Sequence, residues 1–191
     1  MTVLIHLNGP PGIGKSTLSA RYVEQHPGTL NLDIDQLHRL VGGWRSEDGR
    51  THDVLRPIAL AMAAAHLAGG RDVIVPQDLA TSVEVDAFAQ VADEQGADFR
   101  EIVLLADKRE SLDRFERHED GSEWAEHNRR VVARHGGPVF LGELHDRLLE
   151  LLRQRPSAVV ITSEPDAVEE TYAVLEQALR GRPAGRLGPQ D

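Results

Sequence analysis

Nine residues constrain this chain more than any others. Gly9-Pro10-Pro11-Gly12-Ile13-Gly14-Lys15-Ser16-Thr17 satisfies the phosphate-binding pattern G-x-x-x-x-G-K-[ST], which chance produces in on the order of one chain in a hundred of this size. Glycines let successive backbone N–H groups converge on an anion, and a helix starting near Lys15 adds the positive end of its dipole. Gly12, Ile13, Gly14, Lys15, Ser16 and Thr17 would form the nucleotide cradle, with Lys15 on the outer phosphates and the Ser16 hydroxyl on Mg²⁺. A glycine-rich turn alone explains neither the lysine nor the hydroxyl at these offsets. Of the 21 basic residues only Lys15 and Lys108 are lysines.

The surroundings of the motif have the required order. Val3-Leu4-Ile5-His6-Leu7 is a short apolar run that reads as a buried parallel strand, and residues 15–26 keep helix-compatible spacing until Pro27 stops them. Similar short apolar runs at 30–34, 72–75, 99–105 and 158–162 predict four more strands. Helices are predicted between them at 36–41, 52–68, 83–95, 108–118, 123–134, 142–153 and 166–179. Such alternation implies an α/β, three-layer P-loop NTPase fold with about five parallel strands, helices on both faces and a small lid around 114–134. No internal repeat is present. Residues 1–180 are expected to form one domain, and the Gly-, Pro- and charge-rich residues 181–191 a disordered tail.

Composition narrows the partners. A chain of 191 residues, 40% of them hydrophobic, buries one substantial core and not two. The net charge of −10 opposes nucleic acid and anionic membrane unless a local basic cleft intervenes. The absence of cysteine excludes disulfides and thiolate sites and fits a cytoplasmic address. No apolar run is long enough for a signal h-region or a membrane span, so no membrane partner is expected.

A second signal lies in Asn31-Leu32-Asp33-Ile34-Asp35. Continued as a strand, it would place Asn31, Asp33 and Asp35 on one face, at the carboxyl end of the sheet where ligands of open parallel sheets bind. One carboxylate could then serve the metal while the other meets an acceptor hydroxyl. The competing interpretation is that one of them caps the following helix.

Cationic groups over a migrating phosphoryl would come from Arg114, Arg117, Arg129, Arg130 or Arg134, with Arg117 favoured. Glu110 and Arg114, and Asp113 and Arg117, are also favourable i,i+4 pairs, which a solvated helix face explains equally well. Trp44 and Arg45, after the D-x-D helix, could hold a ring-bearing or anionic acceptor, although packing is the commoner fate of such a tryptophan and equally of Trp124. The nine histidines show no metal-ligand spacing, and His6 reads as a hydrogen-bonded core residue.

GPPGIGKST, LDIDQLHR and the arginine segment together resemble the P-loop small-molecule kinases, among them shikimate and gluconate kinases, chloramphenicol phosphotransferase, polynucleotide kinase and the tunicamycin-resistance proteins. The likeness extends to about Leu179. It implies that Asp35 accepts the hydroxyl proton and that Asp33 stands on the metal side. These families often place a carboxylate directly after the third strand, whereas here Val75-Pro76-Gln77-Asp78 sets Asp78 one residue further on, as a metal or substrate contact. Val75-Pro76 with a polar residue after it, and the later Leu104-Leu105-Ala106-Asp107-Lys108-Arg109-Glu110, look most like the tunicamycin-resistance group, which implies an antibiotic or related metabolite as acceptor.

The leading expectation is therefore a kinase that moves the γ-phosphoryl of ATP or GTP, with Mg²⁺, to a hydroxyl of a small molecule. Phosphorylation of a nucleotide or of a polynucleotide 5′-hydroxyl is the alternative, the latter disfavoured by the acidic charge. A P-loop ATPase switch is the alternative of another class: GPPGIGKST resembles an AAA+ loop, yet no apolar strand ends in Asp-Glu. A monomer and a homodimer are both compatible with the sequence.

Overall fold

The structure is a computed structural model that describes residues 1–45, 50–117, 121 and 123–181. The chain runs β1 (Val3–Asn8), α1 (Lys15–Gln25), β2 (Leu30–Asn31), α2 (Ile34–Leu37), a 3₁₀ turn (His38–Leu40), α3 (Arg50–Ala68), β3 (Val73–Val75) and α4 (Ser82–Glu94). It continues through β4 (Asp98–Leu105), α5 (Lys108–Arg117), α6 (Glu123–Arg134), α7 (Pro138–Gln154), β5 (Val159–Thr162) and α8 (Val168–Arg180). The five strands form one parallel sheet in the order β2-β3-β1-β4-β5.

Strand periodicity divides the core into two layers. Leu4, Val73, Val75 and Val103 face Leu55, Ala59, Ala63 and Leu67 of α3, Val85 and Phe88 of α4, and Leu148 and Leu151 of α7. Their neighbours Ile5, Leu7, Ile74, Ile102, Leu104 and Ile161 face Leu18 and Tyr22 of α1 and Tyr172 and Leu175 of α8. The three-layer α/β P-loop fold expected from the alternation of elements is the one observed.

Several boundaries differ from the sequence-based expectation, and three of them have a clear local cause. β2 stops at Asn31 instead of residue 34, because Asp33 turns the backbone and caps α2. The helix expected at 36–41 begins at Ile34 and tightens into the 3₁₀ turn at His38. α7 starts at Pro138 and not at 142, since proline presets the first helical turn after Gly137. The expected lid segment is described as the end of α5 and all of α6; residues 118–120 and 122 lie outside the described residues. Of the expected tail only Gly181 lies within them.

β1 is hydrogen-bonded on both sides and delivers the phosphate loop from the middle of the sheet. Gly9 makes that exit possible. Its φ is +149°, and a Cβ there would stand 2.6 Å from the Leu104 carbonyl oxygen and 2.9 Å from the Ile13 side chain. Gly9→Ala is therefore expected to destabilise the protein by roughly 2–4 kcal/mol, combining backbone strain and overpacking. A lowered urea midpoint with an unchanged m-value would show it.

Candidate active site

Asn8 at the end of β1 fixes the start of the loop. Its buried Oδ1 accepts from the Gly9 N–H at 2.8 Å and from the Leu79 N–H at 3.3 Å, while its Nδ2 donates to the Leu79 carbonyl at 3.1 Å. The loop is thereby tied to the segment following β3. At the other end Gly14, with φ +106°, caps α1 without any side-chain hydrogen bond, which leaves the first amides of the helix to an anion. Lys15 Nζ donates to the Gly9 carbonyl at 2.7 Å and the Pro10 carbonyl at 3.0 Å. Burial pushes its pKa down, and the charges of Asp78, Asp35 and Asp33 oppose that shift.

Asp33 and Asp35 do not reach the site by strand alternation. Asp33 is the N-cap of α2, and Asp35 lies in the first turn of that helix. The Asp33 Oδ1 accepts from the Asp35 N–H at 3.1 Å, while Oδ2 accepts from the Ser16 hydroxyl at 3.3 Å. One residue thus both caps the helix and meets the phosphate loop. Burial and the neighbouring Asp35 raise the Asp33 pKa, and hydrogen bonds from the Asp35 amide, Ser16 and Gln36 offset part of the rise. Asp35 Oδ1 accepts from Gln77 Nε2 at 3.3 Å. Asp78, also raised by burial, is drawn down by Lys15. Gln77 was not singled out from the sequence, yet it stands just before Asp78 and orients Asp35.

These groups line one cleft of about 940 Å³, together with Gln36, Arg39, His52, Trp124 and Asn128 on one side of the loop and Arg114 and residues 163–168 on the other. Among the described residues no three His, Asp or Glu side chains form a metal cage. The Ser16–Asp33 pair instead offers a hydroxyl and a carboxylate, the set that suits Mg²⁺ when phosphate oxygens and waters complete the octahedron.

The arginines separate into two roles. Arg114 is mostly buried: Nη1 donates to the Ser163 hydroxyl at 3.0 Å and the Ile13 carbonyl at 3.4 Å, and Nη2 donates to the Ser163 carbonyl at 2.8 Å. It braces the phosphate loop against the end of β5, and its Nε pairs with Glu110 at 3.0 Å. Gly12 packs against the same helix, where a Cβ would stand 3.1 Å from the Phe115 backbone. Arg117 is largely exposed at the cleft, pairs with Glu110 at 3.1 Å, and donates to the Asp113 backbone carbonyl at 3.2 Å. Arg129 lines the cleft, whereas Arg130 and Arg134 do not.

Trp44 and Arg45, the expected acceptor contacts, stand outside the residues that line the cleft. Trp44 is buried and absent from the cleft wall, and Arg45 lies over its ring at 4.5 Å and pairs with Glu123 at 2.7 Å. Trp124 lines the cleft in their stead. The burial of Trp44 depends on residues some 80 positions later, which no local pattern encodes.

His6 sits fully buried beneath the site, its Nε2 bonded to the Gln77 carbonyl at 3.0 Å, which makes Nε2 the protonated nitrogen. Burial holds its pKa down to about 4, from 6.5. Between those values the unfolded chain binds a proton that the folded protein refuses, so stability falls as pH drops from 6.5 towards 4. The loss from His6 approaches about 3 kcal/mol. Urea titrations at pH 7 and 4.5 are expected to show it, and His6→Gln to flatten the slope while keeping a donor for Gln77.

A family model described as an AAA domain matches residues 4–136, from β1 through α6. The chain belongs to the AAA domain family. No curated protein matches the sequence of this AAA domain chain. Among solved structures, the tunicamycin resistance protein of Deinococcus radiodurans covers 97% of this chain and 99% of its own at 21% identity, with a TM-score of 0.63. A provisionally assigned kinase from Chloroflexus aurantiacus covers 93% and 96% at 17% identity with a TM-score of 0.64. A deoxyadenosine kinase from M. mycoides covers 92% and 97% at 14% identity with a TM-score of 0.51. At these identities the AAA domain chain shares with them its fold, that of the P-loop kinases.

Proposed function

We propose that this AAA domain protein is a phosphotransferase that moves the γ-phosphoryl of ATP or GTP to a hydroxyl of a small molecule. One observation carries this reading above all: the cleft that holds the phosphate loop also holds Asp35, a carboxylate aimed by Gln77, while the Ser16 hydroxyl is bonded to Asp33. A switch ATPase would also use a carboxylate, but to position water, and the Asp-Glu strand end expected for that role is not found in this sequence. Asp35 would take the proton of the acceptor hydroxyl as that oxygen attacks the γ-phosphorus and the bond to the β–γ bridging oxygen breaks. The products are the phosphorylated acceptor and a nucleoside diphosphate, with the proton passing from Asp35 to water.

The α1 amides and Lys15 would neutralise the phosphates, and leaving the Gly9 and Pro10 carbonyls would free the ammonium to do so. Ser16 and Asp33 would hold Mg²⁺, which supplies charge neutralisation across the β- and γ-phosphates. Arg117 reaches the cleft as the lid cation, and Asp78 supports Lys15 or the acceptor. The base of the nucleotide would lie by Arg114 and residues 163–168. An antibiotic or related metabolite as acceptor draws its support from the sequence resemblance at 75–78 and 104–110. Among the described residues no helix is long and apolar enough to cross a membrane. A cytoplasmic location draws its support from the cysteine-free sequence.

The test is acceptor-dependent consumption of nucleotide. ATP and GTP should each be offered with nucleoside antibiotics, sugars, amino acids, nucleotides and 5′-hydroxyl oligonucleotides, and the products weighed by mass spectrometry. Slow hydrolysis alone is expected, because water is poorly positioned. The true acceptor raises consumption and yields one phosphorylated molecule per nucleotide. Stimulation only by a macromolecule, with inorganic phosphate as sole product, overturns the proposal.

A further inference from the structure

The only two tryptophans of the chain meet in one cluster with three histidines at the acceptor end of the cleft. The His38 ring stacks on Trp124 with centroids 4.1 Å apart, and His52 of α3 meets it edge-on at 4.6 Å. On the α6 side, His127 lies 5.4 Å from Trp124, and Trp44 approaches Trp124 at 6.1 Å and His127 at 5.8 Å. His38 directly follows α2, the short helix that bears Asp35, whereas Trp124 opens α6, which brings Asn128 and Arg129 to the cleft. The stack therefore joins two walls of the acceptor end that are more than 80 residues apart in the chain.

The join is built to be reversible. His38 is 2% exposed, yet among the described residues neither of its ring nitrogens has a hydrogen-bond partner. The indole N–H of Trp124 is likewise buried without one. Aromatic packing holds the contact, and unsatisfied polar atoms oppose it, since opening would give all three water. The rim pair Arg45–Glu123 is solvent-exposed and adds little.

We propose that His38 is a positioning residue whose stack on Trp124 latches α6 to the segment bearing Asp35, and that protonation of the His38 ring releases the latch. An imidazolium there would need acceptors for two N–H groups and has none among the described residues, and it would face the rings of His52 and His127. Asp35 is the anion that acts on it from α2. In the latched state, burial and His52 hold the His38 pKa down to about 4, with Asp35 pulling the other way. Once released into water the ring returns to its ordinary value near 6.5, so acid favours release and neutral pH favours the latch. That the latched end receives an acceptor rests on the phosphotransferase proposal. The assay below needs no turnover, so the two fail separately.

The experiment follows tryptophan emission in Trp44→Phe, in which Trp124 is the sole tryptophan, excited at the red edge where Tyr22 and Tyr172 do not absorb, from pH 8 to pH 4.5, with far-UV circular dichroism recorded on the same samples. A red shift of Trp124 emission with its midpoint between pH 4 and 6.5, while the far-UV signal stays native, is expected. In a His38→Phe background, which keeps a ring and removes the proton site, that transition should vanish. In a His38→Gln background emission should already be red-shifted at pH 8. Should Trp44→Phe fold poorly, the wild-type chain gives the same readout, because both its tryptophans lie in the cluster. A transition unchanged by His38→Phe, no shift at all, or a shift that coincides with loss of far-UV signal overturns the proposal.

Discussion

Replacing Lys15 by methionine should reduce phosphoryl transfer by at least about 10²–10³-fold, the scale of losing one preorganised charge at a transition state. The protein should nevertheless fold. Among the described residues the ammonium hydrogen-bonds to the Gly9 and Pro10 carbonyls of its own loop, and its pKa is lowered because burial penalises the charge. A methionine of similar length removes that penalty and contributes no packing strain. Single-turnover kinetics with ATP and GTP, set beside thermal unfolding of the same variant, separate the two effects. Near-normal turnover in the folded variant would remove Lys15 from the transition state.

Asp35→Asn is expected to lower kcat by roughly 10²–10⁴-fold, the range for loss of a general base, while nucleotide affinity changes little. The substitution is conservative in geometry, since the amide oxygen of asparagine still accepts from Gln77 Nε2. Helix α2 keeps its start because the cap is Asp33, which bonds to the backbone and not to the side chain of residue 35. Nucleotide binding by calorimetry and turnover with the acceptor identified by mass spectrometry give the comparison. Lost binding with normal turnover per bound complex would make Asp35 a metal or structural residue.

How much of this the sequence disclosed depended on the range of the interactions involved. The phosphate loop was legible because its chemistry is contained in nine consecutive residues. The layered fold was legible because short apolar runs alternate with helical spacing throughout. Asp33 and Asp35 were found, but through an extended strand that does not exist: the Asp33 side chain captured the Asp35 amide and started a helix two residues early. Strand pairing competed there with a local side-chain cap, and the cap prevailed. Arg114, Gln77 and His38 take their roles from partners 49, 42 and 86 positions away, namely Ser163, Asp35 and Trp124. Their residue types alone carried no such signal.

The unequal anchoring of the two halves of the cleft has a bearing on how such a protein changes its specificity. The phosphate loop hangs from six residues of the central strand, bonded on both flanks, and is braced by Arg114 from the far side. The segment from Leu32 to Arg45 leaves the sheet from a two-residue strand at its edge. Sequence change at its exposed positions Gln36, Arg39 and Leu40 leaves the core residues Leu32 and Ile34 in place, whereas change in the loop disturbs the centre of the sheet. The same scaffold can thus be re-addressed to new acceptors by drift in a peripheral segment while its energy source is inherited intact. A library randomised at Gln36, Arg39 and His52 is the natural place to begin such redesign.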